Sequence, residues 1–214
     1  MNINIAAIRR DYQMQSLLEK DVDANPFNQF NAWWDDALKS DLDEVNAMTL
    51  ATASATGIPS ARIVLLKSVS EEGFVFFTNY NSSKGKELEE NPNACLVFFW
   101  KELERQIRIT GKVKKVTPAE SDEYYQSRPE GSRIGAWASP QSTVIESREV
   151  IENNIVKVVE QFAGSEITRP PHWGGYAVIP TIIEFWQGRP NRLHDRLQYS
   201  KIQDGSWRIE RLAP

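Results

Sequence analysis

The stretch AMTLATASATGIPSARIVLLK, residues 47–67, decides the fold class of this chain. Two apolar runs, roughly 47–54 and 59–67, flank the segment Ala55-Thr56-Gly57-Ile58-Pro59, whose glycine and proline mark a turn. Apolar runs of this length that are separated by a turn signal predict a β-hairpin. The pattern therefore favours antiparallel β-structure as the framework of the chain.

The same signals extend outward from this hairpin. Further strands are predicted near 73–78, 94–100, 105–116, 175–186, 192–203 and 206–212. Helices are predicted after Asn25-Pro26, from Ser82 or Ser83 to about Glu90, from Pro118 to about Gln126, over 132–138 and over 146–162. Six or more antiparallel strands with appended helices indicate an α+β, mainly β protein built on a small barrel.

Bulk properties narrow the class of protein. The chain has 214 residues and no Pro/Gly/Ser-rich linker, so one domain over 26–214 is predicted after a mobile polar segment over 1–25. A net charge of −4 argues against general nucleic-acid binding. Cys95 is the single cysteine, which excludes an intrachain disulfide or a multi-cysteine metal site. No apolar run suggests a signal peptide or a membrane span, so a cytoplasmic protein is expected.

The window from Trp186 to Arg196 concentrates charge beside an imidazole. If residues 192–196 are extended, Arg192, His194 and Arg196 share one face of the strand. A cationic row containing a histidine suits an anionic ligand that exchanges a proton. An edge strand with solvated charges is the alternative, and this window alone weighs the two about equally.

Two further patterns resemble anion sites. Arg62 and Lys67 are five residues apart, which places them on opposite faces of a regular strand unless a bulge intervenes. A buried strand with flanking charges is the favoured alternative for this pair. Ser82-Ser83-Lys84 offers hydroxyls, a cation and N–H groups at a helix N-terminus, which together form a phosphate cradle. An ordinary serine cap with a solvated lysine is the more frequent meaning.

Tyr124 and Arg128 share a helix face if residues 118–128 are helical, and Ser132 follows in or after the turn at Pro129. A phenol, a guanidinium and a hydroxyl form a credible phosphate clamp. The alternative is a salt bridge at a helix end plus a capping serine. Four further residues are weak signals on their own: Gln106, Gln141, Ser142 and Trp186.

Ten short pieces, in register from residue 9 to the C-terminus, resemble the pyridoxine (pyridoxamine) 5′-phosphate oxidase family, FMN enzymes that make pyridoxal 5′-phosphate. The pieces are Arg9-Arg10-Asp11-Tyr12, Arg62-Ile63-Val64-Leu65-Leu66-Lys67, 82–88, 104–106, 127–129, 134–137, Gln141-Ser142, 184–188, Arg192-Leu193-His194-Asp195-Arg196 and 211–214. The resemblance implies an FMN-binding split barrel that works as a homodimer with the flavin at the interface. Members of the family often carry Arg at the position of Ser83 and Tyr at the position of Phe77.

The resemblance also implies roles for individual residues. It implies FMN contacts at Arg62, Ile63, Val64, Leu65, Leu66, Lys67, Phe77, Thr78, Ser83, Lys84, Gln106, Gln141, Ser142, Trp186 and Arg196. It implies substrate contacts at Arg9, Arg10, Asp11, Tyr12, Lys67, Tyr124, Arg128, Ser132, Arg192, Leu193 and His194. Of these, Arg192 and His194 are expected over the substrate ring as the catalytic pair, and no metal is expected.

The activity implied by the resemblance is the oxidation of pyridoxamine 5′-phosphate and pyridoxine 5′-phosphate to pyridoxal 5′-phosphate. FMN is the implied cofactor, with O2 as electron acceptor and H2O2 as product. Two other functions stay open at this point. One is a related flavin oxidase of another substrate, such as the phenazine-pathway oxidases, and the other is a non-catalytic protein that binds FMN or pyridoxal phosphate.

Overall fold

The computed structural model describes residues 4, 5 and 11–214, so the predicted substrate residues Arg9 and Arg10 lie outside the described residues. The strands are β1 (Ala47–Ala53), β2 (Pro59–Leu65), β3 (Ser68–Ser70), β4 (Gly73–Asn79), β5 (Asn93–Trp100), β6 (Arg105–Lys115), β7 (Trp173–Gln187), β8 (Asp195–Lys201) and β9 (Trp207–Arg211). The helices are α1 (Pro26–Leu38), α2 (Ser83–Glu90), α3 (Pro118–Ser127), α4 (Glu130–Ala138) and α5 (Glu149–Gln161).

The strands of the described residues pair into one sheet in the order β2-β1-β5-β6-β7-β4-β3, with β8 on β7 and β9 on β8. The pairings of β4 with β7, β7 with β8 and β8 with β9 are antiparallel, and Phe76 lies opposite Tyr176. The prediction of a mainly β protein with flanking helices is therefore confirmed. Within the described part of the chain, no helix is both long enough and apolar enough to span a bilayer.

The chain divides into two compact units, and each is described here by itself. The first unit comprises residues 1–49, 95–110 and 180–214, and the second comprises 50–94 and 111–179. The prediction of a single domain over 26–214 stays a prediction.

The first unit has an aromatic core under α1. This helix begins as predicted, because the Asn25 side chain accepts a hydrogen bond from the Phe27 N–H and Pro26 occupies the first turn. On its buried face, the rings of Phe30 and Phe98 lie 5.6 Å apart and those of Trp33 and Phe185 lie 5.2 Å apart. Edge-to-face packing of this kind stabilises a core beyond the area it buries.

The second unit positions its helices by caps and by one close approach. Ser82 caps α2 through the Gly85 N–H, and Gly85 is required because a Cβ there would lie 2.1 Å from the Tyr80 carbonyl oxygen. Helix α3 begins with a capping box in which Thr117 and Glu120 satisfy each other's backbone N–H groups. These caps define where α2 and α3 begin.

One predicted strand begins later than the sequence pattern indicated. Residues 190–192 form a 3-10 turn in which Asn191 and Arg192 have φ values of 56° and 63°, and β8 begins only at Asp195. The left-handed backbone breaks the extended run, so the prediction of a strand from residue 192 is wrong at its start. Arg192, His194 and Arg196 therefore do not follow the alternation of a regular strand.

Candidate functional site

A cavity of about 520 Å³ opens in the second unit. Twelve of the predicted site residues line it: Arg62, Ile63, Val64, Leu65, Lys67, Phe77, Thr78, Lys84, Tyr124, Arg128, Ser132 and Gln141. Its volume lies within the range of small-molecule and cofactor sites. The sequence pieces from β2, β4, α2, α3 and α4 thus come together around one space.

Arg62 lies on β2 within a network of hydroxyls. Its Nη2 donates to Ser60 Oγ at 2.6 Å, and its Nη1 donates to Thr52 Oγ1 and to the Leu50 carbonyl oxygen. The carboxylate of Glu87 on α2 lies 3.3 Å from Nη2. The guanidinium is therefore fixed in orientation at the wall of the cavity.

Lys84 adds a second cation near Arg62. Its Nζ donates to Ser82 Oγ at 3.2 Å, to Thr78 Oγ1 at 3.3 Å and to Gln141 Oε1 at 3.2 Å. Burial, together with the charge of Arg62, lowers the pKa of Lys84. A bound anion would offset the positive charges of Arg62 and Lys84, so this pair is suited to an anionic ligand.

Arg62 and Lys67 both line the cavity, as do residues 63–65 between them, so lining alone does not show on which face each side chain lies. The regular strand ends at Leu65, and Lys67 lies between β2 and β3 with its N–H bonded to the Val75 carbonyl oxygen. The alternation rule therefore does not extend from Arg62 to Lys67.

A stack of three aromatic rings forms another wall. The ring centroid of Phe77 lies 4.0 Å from that of Tyr124 and 5.5 Å from that of Trp173, and the ring planes are nearly parallel. Arg128 lies 4.6 Å from the Trp173 ring centroid, and Lys67 Nζ lies 5.7 Å from that of Tyr124. The stack thus carries two cations on its surface.

The guanidinium of Arg128 has a buried nitrogen that lacks a hydrogen-bond acceptor among the described residues. Its Nη1 is buried and forms no hydrogen bond within the described part of the chain, and burial lowers its pKa. Ser132 joins Arg128 at the cavity from the first turn of α4, where its N–H bonds to the Pro129 carbonyl oxygen. A buried guanidinium N–H beside a hydroxyl suits an oxyanion.

Several predicted cofactor residues are not among the described residues that line this cavity. Ser83 is exposed at the first position of α2, and Leu66 is buried in the core. Ser142 is exposed with φ of 67°, next to Gln141. Gln106 lies on β6 in the first unit.

A second group of predicted residues clusters within the first unit. The His194 ring lies 4.6 Å from the Trp186 ring, and Tyr12 packs edge-on against both rings at 5.8–5.9 Å. His194 Nδ1 accepts the Arg189 N–H at 3.1 Å. Burial, and then the charge of Arg192, lower the pKa of His194. Both effects favour the neutral imidazole, and in that form Nδ1 is the acceptor and Nε2 carries the proton.

The other predicted residues of this group differ in how far they are exposed to solvent. Arg192, Leu193 and Asp11 are exposed. Arg196 donates from Nε to the buried Glu184 at 2.8 Å and from Nη1 to the Ala213 carbonyl oxygen. Arg108 lies 2.6 Å from the other oxygen of Glu184. Arg196 is thus anchored by a buried carboxylate shared between two arginines.

Some site residues escaped the sequence reasoning. Thr52, Ser60 and Glu87 surround Arg62. The guanidinium of Arg128 lies over the ring of Trp173. The alternation of β2 could have revealed Ser60, because it lies two residues from Arg62 on the same face. No cluster of three or more metal-ligating side chains occurs among residues 4, 5 and 11–214.

Comparison with known proteins decides the family. The family described as "Pyridoxamine 5'-phosphate oxidase" matches residues 34–162, and the "Pyridoxine 5'-phosphate oxidase C-terminal dimerisation region" matches residues 173–214. The chain belongs to the pyridoxamine 5′-phosphate oxidase family. The resemblance seen in the ten sequence pieces is thereby confirmed.

Relatives of this family cover the chain throughout. The pyridoxine/pyridoxamine 5′-phosphate oxidase of Nostoc punctiforme is 58% identical over 214 residues and covers 100% of both chains. That of Ralstonia pickettii is 58% identical over 211 residues, or 99% of each chain. The crystal structure of PhzG from Burkholderia lata 383 in complex with tetrahydrophenazine-1-carboxylic acid has a TM-score of 0.87 at 29% identity, over 94% of this chain and 100% of that one.

Proposed function

We propose that this chain oxidises pyridoxamine 5′-phosphate and pyridoxine 5′-phosphate to pyridoxal 5′-phosphate with FMN as cofactor, O2 as electron acceptor and H2O2 as product. The names of relatives 56–58% identical over the full chain support this activity. It is an oxidoreductase reaction on a CH–NH2 or CH–OH group, and we propose the cytoplasm as its location.

One observation carries the proposal: a single cavity has two separate pairs of cations. Arg62 and Lys84 form one pair among hydroxyls, and Lys67 and Arg128 form the other on aromatic rings. FMN and its substrate each carry one phosphate group. Two phosphates need two basic sites, and charge-assisted hydrogen bonds are the strongest means of holding them.

The residues present fit FMN. The buried Arg128 Nη1 and the crowded Lys84 ammonium both favour bound anions, while Gln141 offers an amide to a flavin. FMN, when bound, would accept the hydride from C4′ of the substrate and pass the electrons to O2. Arg62 and Lys84 would hold its phosphate, and residues 63–65 would line the flavin. Lys67, Tyr124, Arg128 and Ser132 would hold the substrate phosphate.

His194 and Arg192 are the proposed residues over the substrate ring. A neutral His194 whose Nδ1 is occupied by the Arg189 N–H offers Nε2–H as a hydrogen-bond donor. Such a donor can orient the polar substituents of a pyridine ring. Arg192 supplies a positive charge that lowers the pKa of His194 and attracts an anionic substrate.

We infer that the chain works as a homodimer with one FMN per chain at the interface. The match of residues 173–214 to a dimerisation region supports this arrangement. Sedimentation of the holoprotein together with its FMN stoichiometry tests it. A monomer that holds one FMN per chain would contradict the interface site.

The activity is tested by the absorption spectrum of the protein reconstituted with FMN. Anaerobic addition of pyridoxamine 5′-phosphate should bleach the flavin band, and air should restore it with release of H2O2. A flavin band that does not change on addition of either phosphorylated substrate would support a binding protein without turnover.

The likeness to PhzG makes a second substrate class worth testing in the same cuvette. Tetrahydrophenazine-1-carboxylic acid replaces pyridoxamine 5′-phosphate in a parallel anaerobic titration. Bleaching by this compound alone would indicate an oxidase of another substrate on the same fold. The higher identity to the pyridoxine/pyridoxamine 5′-phosphate oxidases, 58% against 29%, favours the phosphorylated substrates.

A further inference from the structure

The carboxylate of Glu87 contacts Arg62, one of the cationic side chains that line the cavity. Glu87 contacts Arg62 Nη2 at 3.3 Å, and its two oxygens accept hydrogen bonds from Ser60 Oγ at 2.8 and 2.7 Å. Thr52 Oγ1 donates to the same carboxylate. The side chains of Arg62 and Glu87 are only 21% and 19% exposed, so water screens this pair weakly.

Glu87 stays ionised in this setting. Burial opposes its charge, but the hydrogen bonds from Thr52 and Ser60 and the charge of Arg62 together lower its pKa. Arg62 lines the cavity, whereas Glu87 is not among the lining residues of the described chain. Any effect of Glu87 on a ligand therefore passes through Arg62 or through its electric field.

The negative charge of Glu87 is favourable in the protein without a bound anion and unfavourable when an anion is bound. Without a bound anion, Glu87 offsets the positive charges of Arg62 and Lys84, which otherwise repel each other. With a phosphate at this pair, Glu87 is a like charge next to the ligand and a competitor for the guanidinium. Its negative charge thus stabilises the empty protein and weakens anion binding.

We propose that Glu87 is a positioning residue that holds Arg62 in the cavity wall and, by its charge, limits the affinity of the cavity for the phosphate group of FMN. This inference rests on the proposed function, because it takes Arg62 and Lys84 as the FMN phosphate site.

The substitution Glu87→Gln removes the charge and keeps the length and an acceptor oxygen for Ser60 and Thr52. FMN should bind the apo variant about tenfold more tightly than the wild type, as expected for removing a like charge at short range. Riboflavin, which lacks the phosphate, should bind both proteins equally within about twofold. Glu90→Gln is the matched control, because it removes the same charge from an exposed residue of α2 and should leave both affinities unchanged.

Thermal unfolding separates this role from simple support of the fold. The apo Glu87→Gln variant should melt below the apo wild type, because Arg62 loses its carboxylate partner. The upward shift in melting temperature at saturating FMN should be larger in the variant, because the shift follows the binding affinity. A side chain that only supports the fold would lower the apo and holo melting temperatures by the same amount.

Two results would overturn the inference while leaving the proposed function intact. One is FMN affinity in the folded variant that is equal to or weaker than that of the wild type. The other is a gain in affinity that appears equally for riboflavin, which has no phosphate group. A wild type that binds neither FMN nor riboflavin would overturn both proposals together.

Discussion

The cavity of the second unit and the turn at residues 190–194 of the first unit present cations in contrasting ways. In the cavity, Arg128 is half-buried against Trp173 and its Nη1 is shielded from water. In the turn, Arg192 is exposed on a left-handed backbone, and His194 is half-buried against Trp186. A fixed, desolvated cation is suited to hold a phosphate, whereas an exposed cation beside a neutral imidazole is suited to meet the reacting end of a ligand.

This contrast separates anchoring from chemistry, and substitutions in the two regions should have different kinetic signatures. Loss of an anchor for the non-reacting phosphate should raise KM first. Loss of a group at the reacting end should lower kcat first.

The largest effect is expected in the turn. Arg192→Ala and His194→Ala should each lower turnover about tenfold to a hundredfold, because each removes a charge-assisted or strong hydrogen bond at the reacting end. Steady-state oxidation of pyridoxamine 5′-phosphate, followed by H2O2 release, measures this loss. FMN content should stay at the wild-type level in both variants. Full activity in both would break the assignment of the turn as the reacting region.

The next effect is expected at the aromatic wall of the cavity. Arg128→Ala should raise KM for pyridoxamine 5′-phosphate about tenfold or more, because a buried guanidinium to phosphate contact is lost. Lys67→Ala should have a smaller effect, since this side chain is exposed. Unphosphorylated pyridoxamine is the control substrate, and its kcat/KM should change little in Arg128→Ala. An equal loss for both substrates would show that Arg128 does not hold the phosphate.

A smaller effect is expected at the first turn of α2. Ser83 is exposed beside Lys84 in the first turn of α2. Ser83→Arg should tighten FMN binding about fivefold, an effect that shrinks in high salt because the site is open to solvent. Titration of apo-protein with FMN at two salt concentrations measures it. Lys86→Ser, which removes an exposed cation two residues from Lys84, tests whether Lys86 already fills this role.

The comparison also shows what the sequence could predict. Tyr124 and Arg128 line the same cavity, but α3 ends at Ser127 and Arg128 is extended, so the pair does not share a helix face as predicted. The caps at Asn25 and Ser82 follow local rules that the structure confirms. These rules depend on neighbours in the chain, so a single sequence contains them. The meeting of twelve residues from five elements and the loops that follow them around one cavity was expected only from the family resemblance, because it depends on long-range packing.

The turn shows where local rules fail. Arg192 adopts a φ of 63° although it is not glycine, and no composition signal marks such a position. The partners of Arg62 were missed for a related reason, since Glu87 and Thr52 are 25 and 10 positions away in the chain. Periodicity predicts the face on which a side chain lies, but not which distant side chain it meets.

The smallest predicted effect is a change in the pKa of His194, which lies at the end of the turn. Arg192 is one of two causes that lower the pKa of His194, the first being burial. A positive charge nearby disfavours the imidazolium, so Arg192→Met should raise the pKa of His194. Histidine NMR of the protein measures the change directly, and the chain has only two histidines, so His172 provides an internal reference.

The sign of this last change has a consequence for pH dependence. In the wild type, His194 should stay neutral to lower pH than in the variant, and its Nδ1 should accept the Arg189 N–H over that wider range, because protonation turns Nδ1 into a donor. The acidic limb of kcat/KM should therefore move to higher pH in Arg192→Met, on top of its lower activity. Arg208→Met, which removes an exposed arginine of β9, is the control. A His194 titration curve that is the same in Arg192→Met and wild type would show that the exposed Arg192 does not act on the imidazole, and the two residues would then have to be treated as independent groups.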